Sequence, residues 1–169
     1  MNGNYERLLQ DCATELDNIQ QWISNHNLDS NVRYLTSYSV IKACGTIESV
    51  FKQMVYDNLA IGANDGAKAF LNKSIIEASF NPSPGQIYKL LEKINVTWRM
   101  DFERLINGTN QKGQLKSLVE LRNSFAHGSG ITASINDVKN YYGAGMWVLE
   151  RLNETINGME IRSINSEYK

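Results

Sequence analysis

The sequence predicts an all-α protein, a bundle of four long helices with additional short helices between them. Three observations carry that reading. Apolar residues recur at helical rather than alternating spacing along most of the chain. Both prolines lie in one segment, Asn81-Pro82-Ser83-Pro84-Gly85, so helices elsewhere can run uninterrupted. A length of 169 residues with 42% hydrophobic content is enough for one well-buried domain and does not call for two. We expect a single domain over residues 1–169, with a core at about 5–157 and a frayed polar tail at 158–169.

The first helix is expected over residues 5–26, with Leu8, Leu9, Cys12, Leu16, Ile19, Trp22 and Ile23 as its apolar stripe. Asp29, Ser30 and Asn31 supply turn and N-cap chemistry for the second helix. That helix, over residues 31–61, is the longest. Its expected core face is Tyr34, Leu35, Tyr38, Ile41, Cys44, Phe51 and Val55, with Val40, Ile47 and Met54 alongside. Glu48 falls in the same stripe, where a carboxylate is costly unless paired or hydrogen-bonded. Either it reaches water from the stripe's edge, or it pairs with an Arg or a backbone donor elsewhere in the bundle. Gly45 beside it would allow close helix approach.

Asn64-Asp65-Gly66 breaks the chain, and a helix over residues 67–80 follows with Phe70, Leu71, Ile75, Ile76 and Phe80. Ser83 as N-cap with Pro84 at the first helical position starts the next one, with the stripe Ile87, Leu90, Leu91 and Ile94. Residues 96–106 form another, in which Arg99 and Arg104 sit off the apolar set as a solvated face. The helix over residues 111–126 has Leu115, Leu118, Val119, Leu121 and Phe125 on its inner side. Ser134 caps the last, which runs to about residue 156.

Several function classes fall away. The formal net charge is −1 from 17 basic and 18 acidic residues, so any nucleic-acid contact must come from a local cluster of positive charge. Cys12 and Cys44 form no metal-ligand spacing and read as reduced apolar thiols. There is no phosphate loop, Gly-x-Ser-x-Gly elbow or His-Glu-x-x-His helix, and no cofactor is implied. No signal-peptide layout or membrane-spanning run occurs, so the Asn-x-Ser/Thr triplets at Asn72, Asn95, Asn107 and Asn153 read as chance matches. A cytoplasmic location is expected, without a membrane partner.

What remains is the stretch Leu118-Val119-Glu120-Leu121-Arg122-Asn123-Ser124-Phe125-Ala126-His127-Gly128. Arg122 shares the apolar flank of its helix through its stem. His127 lies five residues on, about 140° round a straight helix axis, so the two side chains should not converge within one helix. Gly128, just past the end, commonly adopts a left-handed conformation that stops a helix. His127 would then sit in the last turn or the cap, free to face a cleft, with Asn123 to orient it or bind a phosphate oxygen. A histidine can take and return protons near neutrality. An arginine offers a planar fork to phosphate. RNA supplies its own nucleophile, the 2′-hydroxyl. On spacing alone a helix-terminal cap against the last carbonyls is the commoner explanation of such a histidine.

The segment from Glu120 to Gly128 resembles the signature of the HEPN superfamily, in which an Arg, four to six residues and a His close the third long helix of a four-helix bundle. Arg122, Asn123 and His127 match its three positions. The segment Ala43-Cys44-Gly45-Thr46-Ile47-Glu48, and Asn81-Pro82-Ser83-Pro84-Gly85 ahead of Ile87 and Leu90-Leu91, resemble the RiboL-PSP branch. The likeness covers roughly residues 15 to 155. It implies a metal-independent endoribonuclease acting on RNA or tRNA as a homodimer, two motifs forming one site across a cleft. Arg122 would stabilise the scissile phosphate, His127 would be general acid/base and Asn123 would position. Glu48 and Ser124 are supporting positions, Glu48 as an anchor for Arg122 or another buried donor. The resemblance also implies a toxin–antitoxin or phage-defence role, with an antitoxin or other defence-system protein as partner. The competing reading from the same resemblance is a non-catalytic dimerisation or RNA- or protein-binding module. A generic helical dimerisation protein is a third.

Overall fold

A computed structural model of the chain describes residues 1–158 except Ser129 and Ile131. The expected tail at 159–169 lies outside the described residues. Seven α-helices follow in order: α1 (Gly3–Asn25), α2 (Val32–Leu59), α3 (Asp65–Leu71), α4 (Pro84–Ile94), α5 (Val96–Ile106), α6 (Asn110–Ala126) and α7 (Ile135–Asn157). No strand occurs among the described residues. The four long helices α1, α2, α6 and α7 make the bundle: α2 packs on α1, α6 and α7, and α7 packs on all three others.

Helix starts are set by side-chain oxygens that accept otherwise unpaired first-turn amides. Asn2, Asn64, Asn95 and Thr109 do this for α1, α3, α5 and α6. Ser134 and Asp137 form a reciprocal capping box at α7, and the two donations from Ser134 hold the Asp137 carboxyl below its usual range. Ser83 and Pro84 open α4 as expected, although the Ser83 hydroxyl makes no capping bond. Asn31 makes none either; Asp29 instead accepts the Asn31 amide at 2.7 Å.

Three expectations need correction. The helix expected over residues 67–80 ends as an α-helix at Leu71 and continues as a single π-helical turn, Asn72–Ile76. The inward side of α2 is Val40, Ala43, Cys44, Ile47, Val50, Phe51, Met54 and Val55, whereas Tyr34, Tyr38 and Ile41 are exposed. A helix packed against several partners buries a face too wide for one stripe to define. For the same reason Leu8 and Phe125, expected inside, are exposed, and Tyr5 is buried. Finally, a Cβ on Gly45 would meet nothing within 4 Å, and the close approach falls at Gly145 of α7. A Cβ there would lie 2.9 Å from Ile47 Cδ1, closer than packed carbons sit.

Polar and aromatic ties join the helices around this core. The Tyr142 hydroxyl donates to the Leu9 carbonyl at 2.9 Å, joining α7 to α1. Tyr5 donates to Asp57, joining α1 to the end of α2. Phe80 stacks on Phe51 with centroids 4.7 Å apart, which brings the segment before α4 down onto α2. Cys12 and Cys44 are free and buried.

Candidate active site at the end of the sixth helix

Leu115, Leu118 and Val119 bury the inner face of α6 and fix its rotation. Arg122 is half-buried with its stem beside that face, and His127 is exposed. The helix ends as the sequence led us to expect. His127 is the C-cap residue, and its amide donates to the Asn123 carbonyl at 3.1 Å. Gly128 follows at φ +81°, where any side chain would be strained. Because α6 stays helical through Ala126, Arg122 and His127 leave it in different directions. Ser124 is exposed on the last turn.

The Arg122 guanidinium donates through Nη1 to Asn123 Oδ1 at 3.3 Å. Asn81 Nδ2 donates to the same oxygen at 3.4 Å. Two donors on one oxygen fix the orientation of the Asn123 amide and leave its Nδ2 hydrogens for something else. Asn81 Oδ1 in turn accepts the Ser83 amide at 3.1 Å, which couples the amide network to the start of α4.

Glu48 does not meet Arg122. Its carboxylate pairs with Lys52, one turn later on α2, at 2.7 Å, with side chains 19% and 12% exposed. Lys52 also donates to the Ala78 carbonyl at 2.6 Å and the Ile76 carbonyl at 3.4 Å. The buried donor that satisfies Glu48 therefore holds down the backbone leading to Asn81. Both Glu48 and Arg122 lie within electrostatic reach of Cys44. Its thiol is pushed up to about 11 chiefly by burial, with Arg122 opposing and Glu48 adding. Among the described residues, no carboxylate forms an ion pair with Arg122.

The other histidine shows what a committed ring looks like. His26 Nδ1 lies 2.8 Å from the Trp22 carbonyl, and the ring stacks on Trp22 at 4.4 Å. Among the described residues, His127 has neither kind of contact. Lys52 and Asn81 are the residues that sequence reasoning left without a role. Lys52 had a signal, standing four residues after a carboxylate on one helix face. Asn81 had a weaker one, an Asn two residues before a helix-starting Ser.

The arrangement offers a fixed cation, an oriented amide and an accessible imidazole at one helix end. A family model described as RiboL-PSP-HEPN matches residues 7–158. No curated protein and no solved structure matches the chain. Among the described residues, no helix is long and apolar enough to cross a membrane.

Proposed function

The chain belongs to the RiboL-PSP-HEPN family, and from that membership and its Arg122–His127 site we propose that it is a metal-independent endoribonuclease. The observation that carries the reading is an Arg122 guanidinium bound to an amide rather than a carboxylate, at the same helix end as an exposed His127. A guanidinium without an opposing carboxylate keeps its charge for an anion.

In this reading the RNA 2′-hydroxyl loses its proton to a base and attacks the adjacent phosphorus. The bond to the 5′-oxygen breaks, and that oxygen takes a proton from an acid. Products are a 2′,3′-cyclic phosphate and a 5′-hydroxyl end. Arg122 bears the charge growing on the phosphoryl oxygens, Asn123 holds Arg122 and presents its Nδ2 to the phosphate, and His127 moves protons. Base and acid stand on opposite sides of the phosphorus. One His127 on a helix that points it away from Arg122 cannot serve both positions at once. A second copy of the chain, with its own motif facing the first across a twofold axis, supplies the other group. We place this homodimer in the cytoplasm as an effector of a toxin–antitoxin or phage-defence system, held in check by a protein partner.

Purified protein incubated with bulk tRNA in EDTA should generate fragments ending in 2′,3′-cyclic phosphate. Identical products from wild type and His127→Ala would refute the catalytic assignment and leave the binding-module reading standing.

A further inference from the structure

A second group of donors gathers around one aromatic ring near the other end of α6. Tyr88 of α4 is wedged edge-on against Phe102 of α5, centroids 5.8 Å apart. Arg99 of α5 lies with its guanidinium carbon 5.9 Å from the Tyr88 ring centroid, and Lys112 of α6 brings Nζ to 5.4 Å. The Arg99 Nη1 is held by Glu103 at 2.9 Å, and the Lys112 ammonium is steadied by Asn107 Oδ1 at 3.0 Å. Yet the Tyr88 hydroxyl and the Arg99 Nε are both buried with no hydrogen-bond partner among the described residues. Buried polar groups are nearly always paired, so this pair calls for explanation. Both are donors, and Lys112 adds a third. Burial, with Glu103 adding and Arg99 opposing, pushes the Tyr88 phenol up to about 12, so it keeps its proton and can donate. Three donors, of which only Arg99 is paired with a carboxylate, suit an anion.

The position of this cluster on α6 says which anion. At about 100° per residue, Lys112, Lys116, Asn123 and His127 fall within roughly 60° of arc on one face. Lys112 stands about 22 Å along the axis from His127, a distance that several nucleotides of extended strand would span. Lys116, between them, is paired with Glu120 at 3.5 Å and contributes little net charge. The surrounding segment is also the basic part of the chain. Residues 84–127 hold seven basic and four acidic residues, against ten and fourteen in the remainder. A nearly neutral protein thus concentrates its positive charge on the helices beside the motif.

We propose that Tyr88, Arg99 and Lys112 form a remote subsite for a backbone phosphate of the RNA strand whose cleavage is assigned above to Arg122 and His127. The inference rests on that assignment for the identity of the ligand. Lys112 meets the phosphate first. The Arg99 side chain, about a third exposed, then swings off the ring toward the same anion and uncovers the Tyr88 hydroxyl. Phosphate contacts of this kind fix register and contribute affinity without reading sequence. In a twofold dimer the two subsites lie on either side of the shared cleft, one for each arm of the strand.

The test is binding of an unstructured oligonucleotide with 2′-O-methyl sugars, which cannot cleave itself, followed by fluorescence anisotropy across a salt series. Lys112→Ala should weaken binding several-fold and lower the salt slope by roughly 0.7, the loss of one single-strand phosphate contact. Tyr88→Phe should weaken binding several-fold with thermal stability unchanged or raised, since it removes only an unpaired buried hydroxyl. No binding by wild type, or wild-type affinity in either Lys112→Ala or Tyr88→Phe, would overturn the subsite. Cleavage of unmodified RNA is scored separately. Normal binding by both variants alongside wild-type cleavage removes the subsite and spares the nuclease. Variant-sensitive binding without cleavage does the reverse.

Discussion

Replacing His127 with alanine should lower RNA cleavage by roughly 10²–10⁴-fold, the range contributed by a positioned general acid or base. The fold should not notice. His127 is exposed, and its capping bond to the Asn123 carbonyl comes from the backbone amide, which alanine keeps. A surface change of this kind shifts stability by within about 0.5 kcal/mol. Single-turnover cleavage and a urea melt on the same preparation check both halves. In a host that the wild-type protein arrests, the variant should permit growth. A folded variant that cleaves at the wild-type rate would remove His127 from the mechanism.

Lys52→Ala should cost about 1–3 kcal/mol, because it leaves the half-buried Glu48 carboxylate and two backbone carbonyls without their donor. The damage should reach the site by a traceable route. Lys52 holds the Ala78 and Ile76 carbonyls, the chain from there carries Asn81, and Asn81 shares Asn123 Oδ1 with Arg122. Released from α2, that segment no longer fixes the Asn123 amide. The expected signature is a fall in kcat with KM little changed, together with a lower urea midpoint. Unaltered kcat in a destabilised Lys52→Ala protein would show that the Asn81 contact does not position Arg122.

Much of this architecture was legible from periodicity and punctuation. The helix at residues 96–106 has the bounds the apolar pattern gave it, because Asn95 and the Asn107-Gly108 pair mark both ends. The end of α6 was equally readable, since Gly128 is followed by no continuing stripe and takes the left-handed conformation that a glycine permits. The phase of α2 was not readable. Tyr34, Tyr38 and Ile41 form as regular an apolar row as Val40, Ile47 and Met54, and only the arrangement of α1, α6 and α7 decides which row is covered. The π-helical turn at Asn72–Ile76 leaves no mark in composition. At the site, Arg122, Asn123 and His127 stood out because they lie close together in sequence at one helix end and match the three positions of the signature they resemble. Asn81 meets Asn123 across 42 residues of chain, and local patterns carry no information about such a pairing. Glu48 could be recognised as needing a partner, but not which one.

In the proposed function the Arg122–His127 motif is half of a site and a second chain completes it. Titrating a fixed amount of wild type with increasing Arg122→Ala/His127→Ala protein, after equilibration to exchange subunits, tests it directly. If the site is shared, cleavage per wild-type chain should fall towards zero as mixed dimers replace wild-type pairs. Cleavage that stays constant at all ratios, with mixed dimers shown to form, would mean that one chain carries a whole site.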